Sequence, residues 1–207
     1  MRVVRLIAIL FGTLVFSVAI GAAGYFFTGS KSTVAKNCPG GVVGAAIGGP
    51  FELTTHTGER FGSTDLEGEP SLIYFGYGTC PDVCPTELAD TAAAVDILKN
   101  ENELKVRPVF VTVDPERDSG NALAEYVGYF HERMIGLTGT LEEIAAIAQV
   151  YRVYYAKAPD PDFPDGYAMD HSSYIYLLDA DGKFVTYFKY ADTPEEIAAG
   201  VTCHLGV

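Results

Sequence analysis

A long apolar segment near the amino terminus limits the architectures open to this chain. The run Leu6–Phe27 contains no charged residue, and about 20 apolar residues in a helix suffice to cross a hydrocarbon core about 30 Å thick. Arg2 and Arg5 precede the run with no acidic residue to offset them, which predicts that the amino terminus stays in the cytoplasm. We therefore expect an N-terminal transmembrane helix, with the rest of the chain on the other side of the membrane.

A cleaved signal peptide is the alternative interpretation of the same segment. Small residues within Ala19–Ala23 resemble a cleavage site, but the apolar run continues through Tyr25–Phe27, which favours an uncleaved anchor. Either interpretation places residues 50–207 outside the cytoplasm, where thiols oxidise unless they are protected. We predict an anchor at 1–28, a flexible tether rich in Gly, Ser and Ala at 29–49, and one domain at 50–207.

Charge and composition exclude several classes of protein. The chain has 14 Lys and Arg against 27 Asp and Glu, a formal net charge of −13. Because a polyanionic surface repels phosphate backbones, we expect no nucleic-acid partner. Hydrophobic residues make up 48% of the chain without an excess of Gly or Pro, which excludes a disordered or fibrous protein.

Strand and helix patterns alternate beyond the tether. Short apolar runs predict strands, and Gly-containing turns such as Asp179–Gly182 predict hairpins. Thr140 and Thr193, each followed by Glu three positions later, form capping boxes that predict helix starts. The predicted strands are Phe51–Thr55, Glu59–Gly62, Ser71–Tyr77, Val106–Val113, Tyr174–Leu178 and Phe184–Lys189, and the predicted helices are Thr86–Lys99, Ala122–Phe130, Leu141–Tyr151 and one beginning at Pro194. This alternation predicts an α/β domain with a mixed sheet flanked by helices, compatible with a thioredoxin-like core.

Two cysteines four positions apart lie between the first core strand and the helix that follows it. In the segment Cys80–Pro85 (CPDVCP), Pro85 suits the first helical position and places Cys84 at the N-cap. Free backbone N–H groups and the helix dipole favour a thiolate there. The spacing brings both sulfurs to one side of the turn, where they can close a disulfide or hold one metal ion. Two thiolates leave a metal under-coordinated, so a third ligand has to come from another segment.

His171 is the strongest candidate for that third ligand. It follows an Asp- and Pro-rich loop predicted over Ala158–Asp170 and precedes a predicted strand, and loops at strand ends gather around one crevice in α/β sheets. The other histidines have simpler interpretations: His56 lies beside a turn, His131 lies at a helix end where a cation suits the dipole, and His204 lies next to the carboxyl terminus. We therefore predict a site formed by this imidazole and the cysteine pair.

Three short motifs occur in a fixed order along the chain. They are Cys80–Pro85 (CPDVCP), Val113–Asp118 (VDPERD) and Asp170–Ser172 (DHS). In this order they resemble the Sco/SenC family of copper-binding cytochrome c oxidase assembly proteins, and the resemblance covers roughly residues 48–200. The predicted amino-terminal anchor also suits that family. Three ordered motifs are far more specific than a cysteine pair alone.

The resemblance implies a copper site, a partner and a compartment. It assigns one copper ion, as Cu(I) or Cu(II), to Cys80, Cys84 and His171, and soft thiolates with an added imidazole suit both oxidation states. It implies a metallochaperone that delivers copper to, or reduces thiols at, the binuclear CuA site of cytochrome c oxidase subunit II, with other copper chaperones as further partners. It also implies single-pass attachment to the inner membrane with the globular domain in the periplasm, or in the intermembrane space of mitochondria.

Two enzymatic alternatives use the same cysteines. The segment Val83–Glu87 (VCPTE) resembles the peroxidatic segment of peroxiredoxins. In such an enzyme Cys84 would attack peroxide, and Cys80 would then form a disulfide with the oxidised Cys84. A second cysteine only four positions away is unlike the usual arrangement in those enzymes. A thiol-disulfide reductase is the nearer alternative. Thioredoxins, however, separate their cysteines by two residues rather than three and place a cis-proline where this chain has Met169–His171. Zinc is a weaker candidate than copper, because structural zinc usually takes four protein ligands.

Residues outside the ligand set leave further alternatives open. Cys38 and Cys203 either form a disulfide or remain two independent thiols. Asp114 either takes part in contact with a partner, as the resemblance implies, or only starts a turn after a strand. Two clusters also have two interpretations each. Three acids either shape the docking of a partner or only keep the surface soluble: Asp160, Asp162 and Asp165. Three aromatic residues either shield the copper from water or only pack in the core: Tyr74, Phe75 and Tyr77.

Overall fold

The computed structural model describes residues 38–42, 45–163 and 165–207. The predicted transmembrane helix and the first part of the predicted tether lie outside these residues. Within the described ranges, no helix is both long enough and apolar enough to cross a bilayer. Cys38–Val207 form one compact unit.

A seven-stranded mixed sheet forms the centre of this unit, and two further strands form a small sheet of their own. The strands of the described residues are β1 (Glu52–Thr55), β2 (Arg60–Gly62), β3 (Ser71–Gly76), β4 (Arg107–Thr112), β5 (Ile135–Thr138), β6 (Tyr155–Pro159), β7 (Tyr167–His171), β8 (Tyr174–Leu178) and β9 (Phe184–Lys189). The order across the main sheet is β2-β1-β5-β4-β3-β8-β9, and β6 pairs with β7. Strands β3, β4 and β5 run parallel, and the remaining pairs are antiparallel.

The central strand β4 contains a proline, which is unusual because proline has no N–H to donate. The N–H of Arg107 donates to Pro70 O at 2.8 Å on the β3 side, so the nitrogen of Pro108 faces β5. Pairing between β4 and β5 begins only at Val109. The N–H that Pro108 lacks would therefore have pointed to a place with no strand partner. No hydrogen bond between strands is lost, and β4 forms as predicted.

The α-helices of the described residues are α1 (Val83–Asn102), α2 (Gly120–Phe130), α3 (Leu141–Tyr151) and α4 (Pro194–Leu205). Both predicted capping boxes are present, because the hydroxyls of Thr140 and Thr193 accept the N–H of the Glu three positions later, at 3.2 and 3.3 Å. Helix α1 begins earlier than predicted, with Asp82 as its N-cap. Proline is tolerated throughout the first turn, where the N–H groups have no helical partner. Cys84 therefore lies inside the first turn rather than at the N-cap.

Aromatic contacts show that helices cover both faces of the sheet. Successive strand residues point to opposite faces. Phe75 and Tyr176 pack against Tyr151 of α3, with ring centroids 5.4 and 5.8 Å apart. Phe110 points to the other face and packs against Tyr126 of α2 at 5.3 Å. This is the thioredoxin-like α/β fold that the sequence predicted.

The loop predicted before His171 is largely a β-hairpin, so that prediction was wrong. Strands β6 and β7 pair antiparallel, and His171, the last residue of β7, lies opposite Tyr155. Most of the acidic and Pro-containing stretch lies in the turn between the two strands, while Pro159 ends β6 and Asp170 lies in β7. Neither strand has a continuous apolar run, which is why the sequence pattern did not indicate them. The structure also adds β5 and a short 3₁₀ helix, Ser63–Leu66, which were not predicted.

A disulfide joins Cys38 to Cys203, so the alternative of two independent thiols is excluded. The bond ties the segment before the domain to α4. Cys80 and Cys84 are free thiols.

Candidate metal centre

The predicted ligands come together at one end of the main sheet. Strand β3 ends at Gly76, and the loop after it carries Cys80 into α1. Strand β8 runs antiparallel to β3, with Tyr74 opposite Ile175, so the start of β8 lies at the carboxyl end of β3. His171, just before β8, arrives at that same end. Ligand sites in open α/β sheets commonly lie at this edge.

The two cysteines face each other across the first turn of α1. The N–H of Cys84 donates to Sγ of Cys80 at 3.3 Å. Cys84 is fully buried, whereas Cys80 is partly exposed. A Cβ atom at Gly76 would lie 2.8 Å from Sγ of Cys84. The absence of a side chain at the end of β3 therefore makes room for the buried sulfur.

The imidazole of His171 is oriented by its neighbours. Its Nδ1 lies 3.1 Å from Ser172 O, and because a carbonyl only accepts, Nδ1 carries the proton. The lone pair of Nε2 then faces Sγ of Cys84, 3.3 Å away. The rings of Tyr74 and Tyr77 meet the imidazole edge to face, at 6.1 and 5.7 Å between centroids. These contacts direct Nε2 toward the cysteine pair and leave the ring partly buried.

The two thiols have opposite pKa shifts. The pKa of Cys80 is lowered, because its sulfur accepts hydrogen bonds from the Cys84 thiol and from backbone N–H groups at the start of α1. The same thiol–thiol hydrogen bond and burial raise the pKa of Cys84. The thiolate favoured by the helix start is therefore Cys80. The prediction of a thiolate at Cys84 was wrong, because its sulfur is fully buried against Gly76 of β3 and donates the hydrogen bond to Cys80.

The three donor atoms are close enough to share one ion. The sulfurs of Cys80 and Cys84 and an imidazole nitrogen of His171 all lie within 4.8 Å of one another. Atoms that bind one ion at about 2.3 Å can be up to about 4.6 Å apart, so the group needs only a small adjustment. Among the described residues, no fourth Cys, His, Asp or Glu joins this group. Two soft thiolates and an imidazole suit copper, and the missing fourth ligand argues against structural zinc.

Asp118 holds the loop that leads to the cysteines. Its Oδ2 accepts the N–H of Gly78 and the hydroxyl of Thr112, both at 2.7 Å. Burial raises the pKa of this carboxyl group, although both hydrogen bonds oppose the shift. Asp118 thus connects the end of β4 to the segment just before Cys80.

Asp114 and Arg117 form a buried ion pair in the same loop. The carboxylate of Asp114 is 1% exposed, so the contact with a partner that the resemblance implied for it is not supported. Its carbonyl accepts the N–H of Arg117 and of Asp118, which confirms the alternative of a turn. The sequence assigned no role to Arg117 or Asp118, although the VDPERD motif that contains them was the available signal.

The remaining candidate residues lie outside the donor group. Structural contacts account for the other histidines: His56 accepts the N–H of Gly136 at 3.0 Å, His131 lies 3.6 Å from Asp96, and His204 bonds to Pro39 O at 3.0 Å. Phe75 packs against α3 on the opposite face from the site. Asp160, Asp162 and Asp165 lie in the turn between β6 and β7 and are at least partly exposed.

Comparison with known proteins identifies the family. The SCO1/SenC family model matches residues 42–206. The chain is 40% identical over 188 residues to a SCO2-like protein of Rickettsia felis, covering 89% of this chain and 91% of that protein. It is 45% identical over 160 residues to the mitochondrial SCO1 homolog of Homo sapiens, covering 77% of this chain and 53% of the human protein. The crystal structure of Arabidopsis thaliana ScoI with copper bound aligns with a TM-score of 0.74 at 41% identity, covering 78% of this chain and 99% of that one. Motifs, fold and similarity agree, and the chain belongs to the SCO1/SenC family.

Proposed function

We propose that this protein is a copper chaperone that holds one copper ion as cargo through Cys80, Cys84 and His171 and assists assembly of the binuclear CuA site of cytochrome c oxidase. The observation that carries the proposal is the convergence of two sulfurs and one imidazole nitrogen within 4.8 Å, although His171 lies 87 positions from Cys84 in the chain. The copper named for the Arabidopsis thaliana structure supports the choice of metal.

The geometry of the ligands supports transfer of the ion rather than its permanent storage. Three protein ligands leave copper open to a further ligand. Cys80 is partly exposed and its pKa is lowered, so an incoming thiolate from a partner can exchange with this ligand first. Cys84 is buried and would keep the ion until the partner has bound it. The same site takes Cu(I) through its thiolates and Cu(II) with the help of the imidazole.

The proposed partner and location follow from the family. Subunit II of cytochrome c oxidase is the proposed acceptor, and other copper chaperones are proposed as donors. We place the globular domain in the periplasm, or in the intermembrane space in mitochondria, attached to the inner membrane by the helix predicted within residues 1–28. The mitochondrial assignment in the name of the human relative supports this setting.

A copper titration tests the site. We expect the purified protein under reducing conditions to bind about one equivalent of Cu(I), and Cys80→Ser to abolish this stoichiometric binding, because a single remaining thiolate is a weak site. We expect His171→Ala to weaken binding of Cu(II) more than that of Cu(I), since the imidazole is the ligand better suited to Cu(II). His131→Ala is the matched control, because this histidine caps α2 outside the donor group, and it should bind as the wild type does.

Thiol-disulfide exchange is the second candidate, favoured by the lowered pKa of Cys80. In this reaction the Cys80 thiolate attacks a partner's disulfide, and Cys84 then displaces the partner. The partner gains two electrons from the cysteine pair, one proton from Cys84 and one from solvent, and leaves as a dithiol, while a Cys80–Cys84 disulfide remains. A peroxidase with Cys84 as nucleophile is less compatible with the structure, since Cys84 is buried and its pKa is raised. Negligible affinity for copper together with catalytic reduction of a disulfide or peroxide would replace the copper proposal.

A further inference from the structure

His171 lies on an element that does not pair with the main sheet. In the residues that the structure describes, β6 and β7 pair only with each other, and His171 is the last residue of β7. The chain continues directly into β8, which fixes one end of the hairpin. The rest of β7 is held against the domain by side-chain contacts: Met169 is buried in the core, and Tyr167 at the far end has polar contacts.

Arg117 supplies contacts to the other end of β7. Its Nη1 donates to the carbonyl oxygen of Tyr167, the first residue of β7, at 3.1 Å, and its guanidinium carbon lies 4.0 Å from the centroid of the Tyr167 ring. The Tyr167 hydroxyl donates to the Asp114 carboxylate at 3.2 Å. Nε of Arg117 donates to that same carboxylate. Hydrogen bonds, an ion pair and a cation–π contact thus join the loop after β4 to β7.

The same guanidinium also reaches the aromatic ring beside the imidazole. It lies 5.6 Å from the centroid of the Tyr77 ring, and Tyr77 meets His171 edge to face at 5.7 Å. Tyr77 follows β3 and precedes the loop that carries Cys80. Arg117 therefore contacts both parts of the site: the strand that carries the imidazole and the segment that leads to the sulfurs.

Burial and shape make arginine hard to replace at this position. The side chains of Arg117 and Asp114 are 10% and 1% exposed, and a buried ion pair that loses one partner leaves a costly unpaired charge. A planar guanidinium can pair with a carboxylate, donate to a carbonyl and stack on a ring at the same time. A lysine ammonium keeps the charge but not the plane. Lys157 lies 4.4 Å from the Tyr167 ring, but its side chain is half exposed, so its contact is weaker.

We propose that Arg117 is a positioning residue for copper binding, which holds β7 so that His171 reaches the ion bound by Cys80 and Cys84. This inference rests on the proposed copper site. Arg117 is not a member of the donor group and acts through His171. Its substitution therefore has an effect on copper only when the imidazole is present.

A double-mutant cycle on the full-length protein in detergent tests the inference. The affinity for Cu(II) is measured by competition with a chelator for the wild type, Arg117→Lys, His171→Ala and the double variant. We expect Arg117→Lys to lower the affinity about tenfold in the wild type, as loss of an outer contact to a metal ligand typically does, and by less than about twofold in the His171→Ala background.

Arg133→Lys is the matched control for this cycle. Arg133 pairs with Glu69 and donates to Val106 O at 3.1 Å, so it combines an ion pair with a carbonyl contact, as Arg117 does. It lies at the opposite end of β4 from the site. We expect its substitution to leave the affinity for copper unchanged.

The outcomes separate this inference from the proposed function. An equal effect of Arg117→Lys in both backgrounds, or no effect in either, overturns the positioning role. Failure of the wild type to bind copper contradicts the proposed function instead, and hydrogen exchange of the metal-free protein then decides the role of Arg117. We expect Arg117→Lys to speed amide exchange in β7 but not in α1, and unchanged exchange overturns the inference.

Tyr167→Leu is a second variant, for use if Arg117→Lys is not folded. It removes the stacked ring without creating an unpaired buried charge, and it should act as Arg117→Lys does.

Discussion

Glu87 is a carboxylate that the fold buries on α1, one turn beyond the paired cysteines. It is 1% exposed, and its Oε1 accepts the N–H of Ala191 at 3.3 Å. Burial raises its pKa to about 7, the hydrogen bond opposes this shift, and the negative charges of Asp90 and Asp192 add to it. The charge of Glu87 in turn adds slightly to the rise in the pKa of Tyr74 on β3, which burial dominates. The folded protein therefore keeps a proton on Glu87 at pH values where the unfolded chain has released it.

This carboxylate makes the stability of the fold depend on pH. Because the pKa is about 7 in the folded state against 4.5 ordinarily, the free energy of unfolding falls as pH rises from about 4.5 to 7. Glu87→Gln keeps an acceptor oxygen without the charge. We expect it to stabilise the protein by about 1–3 kcal/mol at pH 8 and to have no effect at pH 4.5, as measured by urea unfolding. Glu101→Gln, an exposed position on the same helix, is the control, and a stabilisation by Glu87→Gln that is the same at both pH values would contradict the assignment.

At the residue scale, the sequence predicted which three side chains come together but not the contacts that surround them. Cys80, Cys84 and His171 are residue types with few roles, and the segments around them indicated one crevice. Arg117 and Asp118 are common surface residue types, and their roles depend on burial that only the folded chain creates. The thiolate was assigned to the wrong cysteine for the same reason, because the hydrogen bond between the two thiols and the burial of Cys84 determine which sulfur loses its proton.

At the scale of elements, the segment of residues 38–42 covers the outer edge of the main sheet. The N–H of Gly41 donates to Tyr187 O in the edge strand β9 at 2.7 Å, and Nε2 of His204 on α4 bonds to Pro39 O at 3.0 Å. Unpaired edge strands invite association with other chains. The disulfide to α4 therefore keeps a short protective segment in place over β9.

Removal of this disulfide should destabilise the domain substantially. The bond closes a loop with a sequence separation of 165, for which the chain-entropy model gives about 5 kcal/mol at most, and measured values are commonly about 2–4 kcal/mol. We expect Cys38→Ser and Cys203→Ser to lower the free energy of unfolding by the same amount in urea, and the double variant by no more than either. A reductant should bring the wild type to the level of the variants. Single variants as stable as the oxidised wild type would show that the bond adds no stability.

Local signals explain which elements the sequence could predict. Helix α3 has the predicted bounds because its capping box fixes where it begins, and this signal lies within four residues. The hairpin of β6 and β7 has no comparable signal, since its strands are partly exposed and pair with no other strand. One of its contacts with the domain comes from Arg117, fifty positions before Tyr167. A local sequence pattern carries no information about contacts between residues so far apart in the chain, so the hairpin was predicted as a loop.

At the scale of the whole domain, the proposed metal centre connects parts of the chain that otherwise share few hydrogen bonds. Cys80 lies in the loop between β3 and α1 and Cys84 lies in α1, whereas His171 is the last residue of β7 in the small sheet. A bound ion would link these parts directly, since a ligand that binds only the folded state stabilises it by mass action. Copper should therefore act as a cross-link between the two sheets as well as a cargo.

This linkage can be measured as a change in stability and in hydrogen exchange. With free Cu(I) at about 100 times its dissociation constant, we expect the free energy of unfolding to rise by about 2.7 kcal/mol, and amide exchange to slow both at the start of α1 and in β7. His171→Ala should retain part of the stabilisation but lose the protection of β7, because the ion then contacts only the cysteines. The double variant Cys80→Ser/Cys84→Ser should show neither change. If copper stabilised the double variant as much as the wild type, the ion would bind elsewhere. If copper slowed exchange only in α1 of the wild type, the imidazole would not bind the ion.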